Sequence, residues 1–247
     1  MIPPRGAPLT TPPRGVVGVL GGMGPLATID FLRKMLDATP ATTDQEHVPV
    51  VVSSIPQIPD RPRAFRGEGP SPLPAMLASA ERLVAASAGL IVMPCNTAHL
   101  WFDELQRALP LPMLHLVDAA FDDVLALAGP GARIGLLATA ATLDSGLYAQ
   151  RAHSRKPPID LQWLVPSSDE MRNQVTPGIA AVKAGDMPTA ARLLAAAAQA
   201  LKQRGAAAVV IGCTEIPLAL DAAAAGVPVV DAGTALARRA VAWSMRA

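Results

Sequence analysis

Cysteine is scarce: a chain of 247 residues holds two, Cys95 and Cys213, alongside one tyrosine, three tryptophans and four phenylalanines. So few thiols exclude a disulfide-stapled scaffold, and the two stand too far apart in sequence for a zinc knuckle. The four histidines, His47, His99, His115 and His153, show neither HxH nor HxxxH spacing, so no metal site is expected. An excess of one charge is missing as well. With 21 basic and 20 acidic residues scattered along the chain, the net charge of +1 leaves no footprint for nucleic acid. No apolar run reaches the roughly 18 to 20 residues of a spanning helix, so no membrane partner is expected. Residues 1–14 contain five prolines and two arginines but no hydrophobic stretch of signal-peptide type. They are expected to form a flexible tail, and the protein is expected to be cytoplasmic with reduced thiols.

What is present is a rhythm. Residues 16–20 read as a strand, Gly21-Gly22-Met23-Gly24-Pro25 as a turn and residues 26–36 as a helix. Strands at 48–52 and 90–93 follow, with helices at 73–86 and 97–109. A second cycle has strands at 133–139, 161–164 and 208–211 and a helix at 188–204. Such alternation predicts parallel sheets. Val17-Gly18-Val19-Leu20 overlays Ile134-Gly135-Leu136-Leu137 at an offset of 117 residues, and Cys95 overlays Cys213 at 118, which marks a duplication. The expected fold is α/β, with two pseudo-symmetric parallel-sheet domains and the active site in the cleft between them. Residues 15–115 with 224–247 are expected to form the first domain and residues 116–223 the second. Residues 53–74 are too proline-rich for regular structure and form a candidate lid.

Each cysteine follows an apolar run, in Leu90-Ile91-Val92-Met93-Pro94-Cys95-Asn96-Thr97 and in Val209-Val210-Ile211-Gly212-Cys213-Thr214-Glu215. Open α/β sheets place ligands at strand carboxyl ends. Two thiols across a cleft supply a base on one face of a carbon acid and an acid on the other. A free thiol ionises near pH 8.5, so local help is needed; N–H groups at helix starts after each cysteine are expected to give it. Asn96, Thr97, Thr139 and Thr214, at strand ends, are candidates for holding a substrate carboxylate, with helix capping as the other role open to Thr97 and Thr214. Glu215 either orients a thiol or a substrate ammonium, or is a favourable charge in a first helical turn. His99 either faces the cleft or packs. The glycine turn around Met23 lacks a dinucleotide spacing and a Lys-Ser ending, so its glycines are read as letting backbone approach a small ligand.

Five ordered motifs resemble the aspartate/glutamate racemase superfamily, in particular its aspartate racemase branch, over residues 15–247. They are Gly21-Gly22-Met23-Gly24-Pro25, Pro56-Gln57-Ile58-Pro59-Asp60-Arg61, Pro94-Cys95-Asn96-Thr97-Ala98-His99, Leu136-Leu137-Ala138-Thr139 and Gly212-Cys213-Thr214-Glu215. The resemblance implies a racemase without cofactor, commonly a homodimer, acting on a small acidic amino acid with Cys95 and Cys213 as acid and base. It implies that Asn96, Thr97, Thr139 and Thr214 bind the α-carboxylate and that Arg61 and Lys183, one of four lysines, bind the distal one, with Met23 and Glu215 completing the substrate site. Glu215 stands where glutamate racemases carry histidine, which favours aspartate. Ser53-Ser54-Ile55 and Pro62 depart from the family pattern beside the specificity loop, and so bear on the substrate side chain. A broader acidic amino-acid (glutamate) racemase, a related cysteine-dependent decarboxylase or cis-trans isomerase, and an amino-acid-binding module without catalysis, are the alternatives.

Overall fold

The computed structural model describes residues 15–246 and builds one arrangement twice. The expected tail at 1–14 lies outside the described residues. The first half runs β1 (Val17–Gly21), α1 (Pro25–Ala38), β2 (Val50–Ser54), α2 (Arg61–Phe65), α3 (Leu73–Ala85), β3 (Leu90–Val92), α4 (Phe102–Ala108), β4 (Met113–Leu114) and α5 (Leu116–Ala128). The second runs β5 (Arg133–Ala138), α6 (Ala140–Asp144), α7 (Leu147–Ser154), β6 (Gln162–Leu164), α8 (Ser168–Glu170), α9 (Thr176–Ala184), α10 (Met187–Gln203), β7 (Ala208–Gly212), α11 (Ala222–Ala225), β8 (Val229–Asp231) and α12 (Ala232–Ser244).

Both sheets are parallel and four-stranded, ordered β2-β1-β3-β4 and β6-β5-β7-β8. Parallel strands are covered on both faces, which is why β1, β3 and β7 are uninterrupted buried runs rather than alternating ones. The repeat extends to hydrogen-bond register. Val17 pairs with Leu90 and Gly18 with Ile91; in the second sheet Ile134 pairs with Ala208 and Gly135 with Val209.

The two halves exchange helices. α5 follows β4 yet packs on β7 and β8, while α12 follows β8 yet packs on α1, α5, β3 and β4. Matched residues cap them: His115 Nδ1 accepts from the Val117 N–H at 3.2 Å, and Asp231 Oδ1 from the Gly233 N–H at 2.9 Å. Lys34 on α1 bridges Asp30 and Asp231, the latter at 2.7 Å.

Three expectations are corrected. The boundary at residue 224 falls too early, because Val229-Val230 pairs with β7 and covers what would be an open strand edge; the second half extends through Asp231. The 53–74 segment is not wholly irregular, since Asp60 Oδ1 accepts from the Arg63 N–H at 2.8 Å and starts α2, where Pro62 in the first turn forfeits no bond. The helix at 97–109 is split into a 3₁₀ turn, Thr97–Trp101, followed by α4. Among the described residues no helix is long and apolar enough to cross a membrane.

Candidate active site

The carboxyl ends of β1, β3, β5 and β7 converge on one cavity. Its wall contains Met23, Arg61, Cys95, Asn96, Thr97, Thr139, Lys183, Cys213, Thr214 and Glu215, together with Asp60 and Pro62. The two cysteines and the eight residues read from the sequence as binding the substrate thus lie on one wall, whereas His99 does not. The cavity holds about 30 Å³. An outer cavity of about 390 Å³ shares Asp60, Arg61, Lys183 and Glu215 with it and reaches Gly22, Pro25, Leu26 and Pro56. Asp60 and Arg61, at the start of α2, form with Lys183 and Glu215 the wall common to the two spaces.

The glycine turn keeps that wall thin. Gly22 has φ of +88°, and a Cβ there would lie 2.3 Å from the Ile55 nitrogen. Thr28 closes the turn, its Oγ1 accepting from the Gly22 N–H at 2.9 Å and donating to the Gly24 carbonyl at 2.9 Å.

Both thiols are free and buried, Cys95 7% and Cys213 4% exposed. Burial pushes both up from the ordinary thiol range, Cys213 well above it. Glu215 reinforces the rise at both and Lys183 opposes it at both, while Arg61 opposes it at Cys95 alone. The Cys213 thiol donates to Glu215 Oε2 at 3.2 Å, which holds the proton on sulfur. Each cysteine is followed by a 3₁₀ turn, Thr97–Trp101 or Ile216–Leu218, rather than an α-helix. The expected dipole of a helix start is thus replaced by single nearby N–H groups, of Ala98 for Cys95 and Glu215 for Cys213.

Small polar side chains join the halves. Thr97 Oγ1 lies 2.9 Å from Thr139 Oγ1 and 3.0 Å from Thr142 Oγ1, and the last two are 3.0 Å apart. Three hydroxyls, each donor and acceptor, close this ring. Of the threonines, Thr139 caps a helix, accepting from the Thr142 N–H at 3.3 Å; Thr97 and Thr214 do not, which removes that alternative for them. Asn96 Oδ1 accepts from the Tyr148 hydroxyl at 2.6 Å, while its Nδ2 is buried without a partner among the described residues. Sequence reasoning missed Thr142 and Tyr148. A hydroxyl three residues after Thr139 and the chain's single tyrosine were the signals available.

Arg61 and Lys183 make no ion pair among the described residues. One Arg61 nitrogen, Nη1, donates to the Ile58 and Pro59 carbonyls at 2.9 Å each, and its buried Nε has no partner. The guanidinium is thus anchored by its own loop with donors to spare.

His99 packs rather than facing the cavity. Its Nε2 accepts from the Leu116 N–H at 3.1 Å, so Nδ1 carries the hydrogen and donates to the Cys95 carbonyl at 2.8 Å. Burial pushes its pKa down to about 4. The neutral ring therefore contributes stability that is present above pH 6.5 and is lost as pH falls through 4, at most about 3 kcal/mol. Urea unfolding at pH 7 and pH 4 is expected to show a smaller acid loss in His99→Gln than in the wild type; equal losses would remove His99 from the account.

A larger groove of about 730 Å³ between α5 and α12 contains Asp122, Asp123, Arg238 and Arg239. These pair with one another, Arg238 with Asp123 and Arg239 with Asp122, and no thiol is present. Chemistry, not volume, selects the smaller cavity.

Known proteins share the sequence and the fold. The chain is 26% identical to the broad specificity amino-acid racemase RacX of Bacillus subtilis (strain 168), over 92% of this chain and 96% of the relative. The solved structure of Picrophilus torridus aspartate racemase superposes with a TM-score of 0.83 at 29% identity, covering 94% of each chain. A glutamate racemase from Francisella tularensis subsp. tularensis SCHU S4, in complex with D-glutamate, shares the fold at a TM-score of 0.64 and 16% identity, over 95% of this chain and 82% of that one. Residues 20–240 match the family described as Asp/Glu/Hydantoin racemase. With that match spanning most of its length, the chain belongs to the Asp/Glu/hydantoin racemase family.

Proposed function

We propose that the protein interconverts L- and D-aspartate by two-base proton transfer at the α-carbon, without a cofactor. The observation that carries this reading is the placement of two free thiols at matched strand ends, on one cavity wall that also presents two cations without ion-pair partners among the described residues. A thiolate takes the α-proton, the negative charge passes into the α-carboxylate, and the opposite thiol delivers a proton to the other face. Asn96, Thr97, Thr139 and Thr214 offer hydrogen-bond donors where that charge grows, which is where a donor lowers the barrier most. Cys95, beside Arg61 and Lys183, is the thiol more readily ionised. Cys213, whose hydrogen is directed to Glu215, is the acid at rest, and the reverse reaction exchanges the roles.

A wider amino-acid range is the second reading. The carboxylates of Asp60 and Glu215 share the wall with the cations, so a basic side chain also finds a counter-charge there. The relative named as a broad specificity racemase fits this reading. A panel followed by chiral chromatography separates the two: aspartate faster than glutamate, alanine and lysine supports the first, and lysine ahead of aspartate selects the second.

A further inference from the structure

We infer that Tyr148 is a positioning residue that turns the Asn96 amide so that its NH₂ faces the substrate carboxylate; this rests on the racemase assignment above. Tyr148 belongs to α7 of the second half and is 1% exposed. Its ring meets Trp163 and Phe121 edge-on, with centroids 5.5 and 6.3 Å away. The hydroxyl reaches out of that core into the other half and donates to Asn96 Oδ1 at 2.6 Å. Burial raises the phenol well above its ordinary range, so it remains a donor. Asn96, 2% exposed, lines the cavity with an Nδ2 that has no partner among the described residues. An amide whose oxygen is held on one side presents its nitrogen on the other, and a buried donor without an acceptor is complete only when a ligand supplies one. A carboxylate is such an acceptor.

Space for the tyrosine ring is built into the second cysteine motif. A Cβ on Gly212 would lie 3.3 Å from Tyr148 Cε2 and 2.9 Å from Leu136 Cδ1. The duplication adds an internal comparison. At the 117-residue offset of the first strands Tyr148 corresponds to Phe31 on α1, which is equally buried and has no hydroxyl, and at the 118-residue offset of the cysteines Asn96 corresponds to Thr214. A threonine hydroxyl donates or accepts by rotating and needs no partner to set its direction. An amide has two unlike ends and does. The hydroxyl of Tyr148 thus belongs to the half opposite the amide, and the bare ring of Phe31 to the half opposite the threonine.

A double-mutant cycle tests the inference. Tyr148→Phe is expected to lower kcat/KM for aspartate by about tenfold or more, through a fall in kcat as well as a rise in KM. In the Asn96→Ala background the same change is expected to cost less than about twofold. Equal losses in both backgrounds would make Tyr148 merely structural and overturn the inference, and thermal melting of all four proteins identifies any loss due to unfolding. Should the wild type racemise no amino acid, the racemase assignment fails, and calorimetric titration with L-aspartate then decides the orientation. Weakening by Tyr148→Phe only where Asn96 is present supports it; equal affinities, or no binding, overturn it.

Discussion

Serine in place of either Cys95 or Cys213 is expected to lower racemisation by about 10²–10⁴-fold, the range that a placed acid or base contributes. A hydroxyl is close in size to a thiol and a far weaker acid, so the substitution removes proton transfer while leaving the buried wall nearly filled. Each variant keeps the opposite thiol. It is therefore expected to exchange the α-proton of one enantiomer only, and the two variants are expected to choose opposite enantiomers. Because the cysteines act as a unit, the double variant should racemise no more slowly than the worse single one. Chiral chromatography gives the racemisation rates and proton magnetic resonance the one-sided exchange. Substantial racemisation by Cys95→Ser would leave Cys213 working with some other group, against the paired design.

Loss of Arg61 or Lys183 should act on specificity. Each charged hydrogen bond to a distal carboxylate contributes about 1.5–3 kcal/mol, or roughly 10- to 150-fold. Arg61→Ala is thus expected to reduce kcat/KM for aspartate by that order while affecting alanine far less. Arg61 also holds the Ile58 and Pro59 carbonyls, so its removal loosens the wall as well. Lys183→Met separates these effects, since Lys183 is exposed near the end of α9 and makes no ion pair among the described residues. It should lose aspartate turnover with little change in alanine turnover or melting temperature. Parallel losses on both substrates would make the cation structural.

Much of this arrangement is legible in the chain. Doubly covered parallel strands must be apolar throughout, so Val17-Gly18-Val19-Leu20, Leu90-Ile91-Val92 and Ala208-Val209-Val210-Ile211 stand out, and their spacing exposes the duplication. The cysteines and their small polar neighbours follow at the strand ends. β4 has only two residues, Met113 and Leu114, and carries no period to detect. The half to which β8 belongs is not legible, because nothing local in Val229-Val230 says which edge it joins. The start of α2 depends on a single Asp60 cap among prolines, too weak a signal to outweigh them. Least visible were the links between halves. Tyr148 and Asn96 are separated by 52 residues, and Thr97 and Thr142 by 45, so only the fold brings them together.

The two-base claim makes the direct measurement a simple one. The wild-type protein is incubated in deuterated water with L-aspartate and, separately, with D-aspartate, and the α-proton resonance is followed before equilibrium is reached. Proton removal on both faces predicts loss of signal from both enantiomers, with incoming deuterium in the newly formed antipode from the start. Exchange confined to one enantiomer, or binding of both with no exchange, would contradict it.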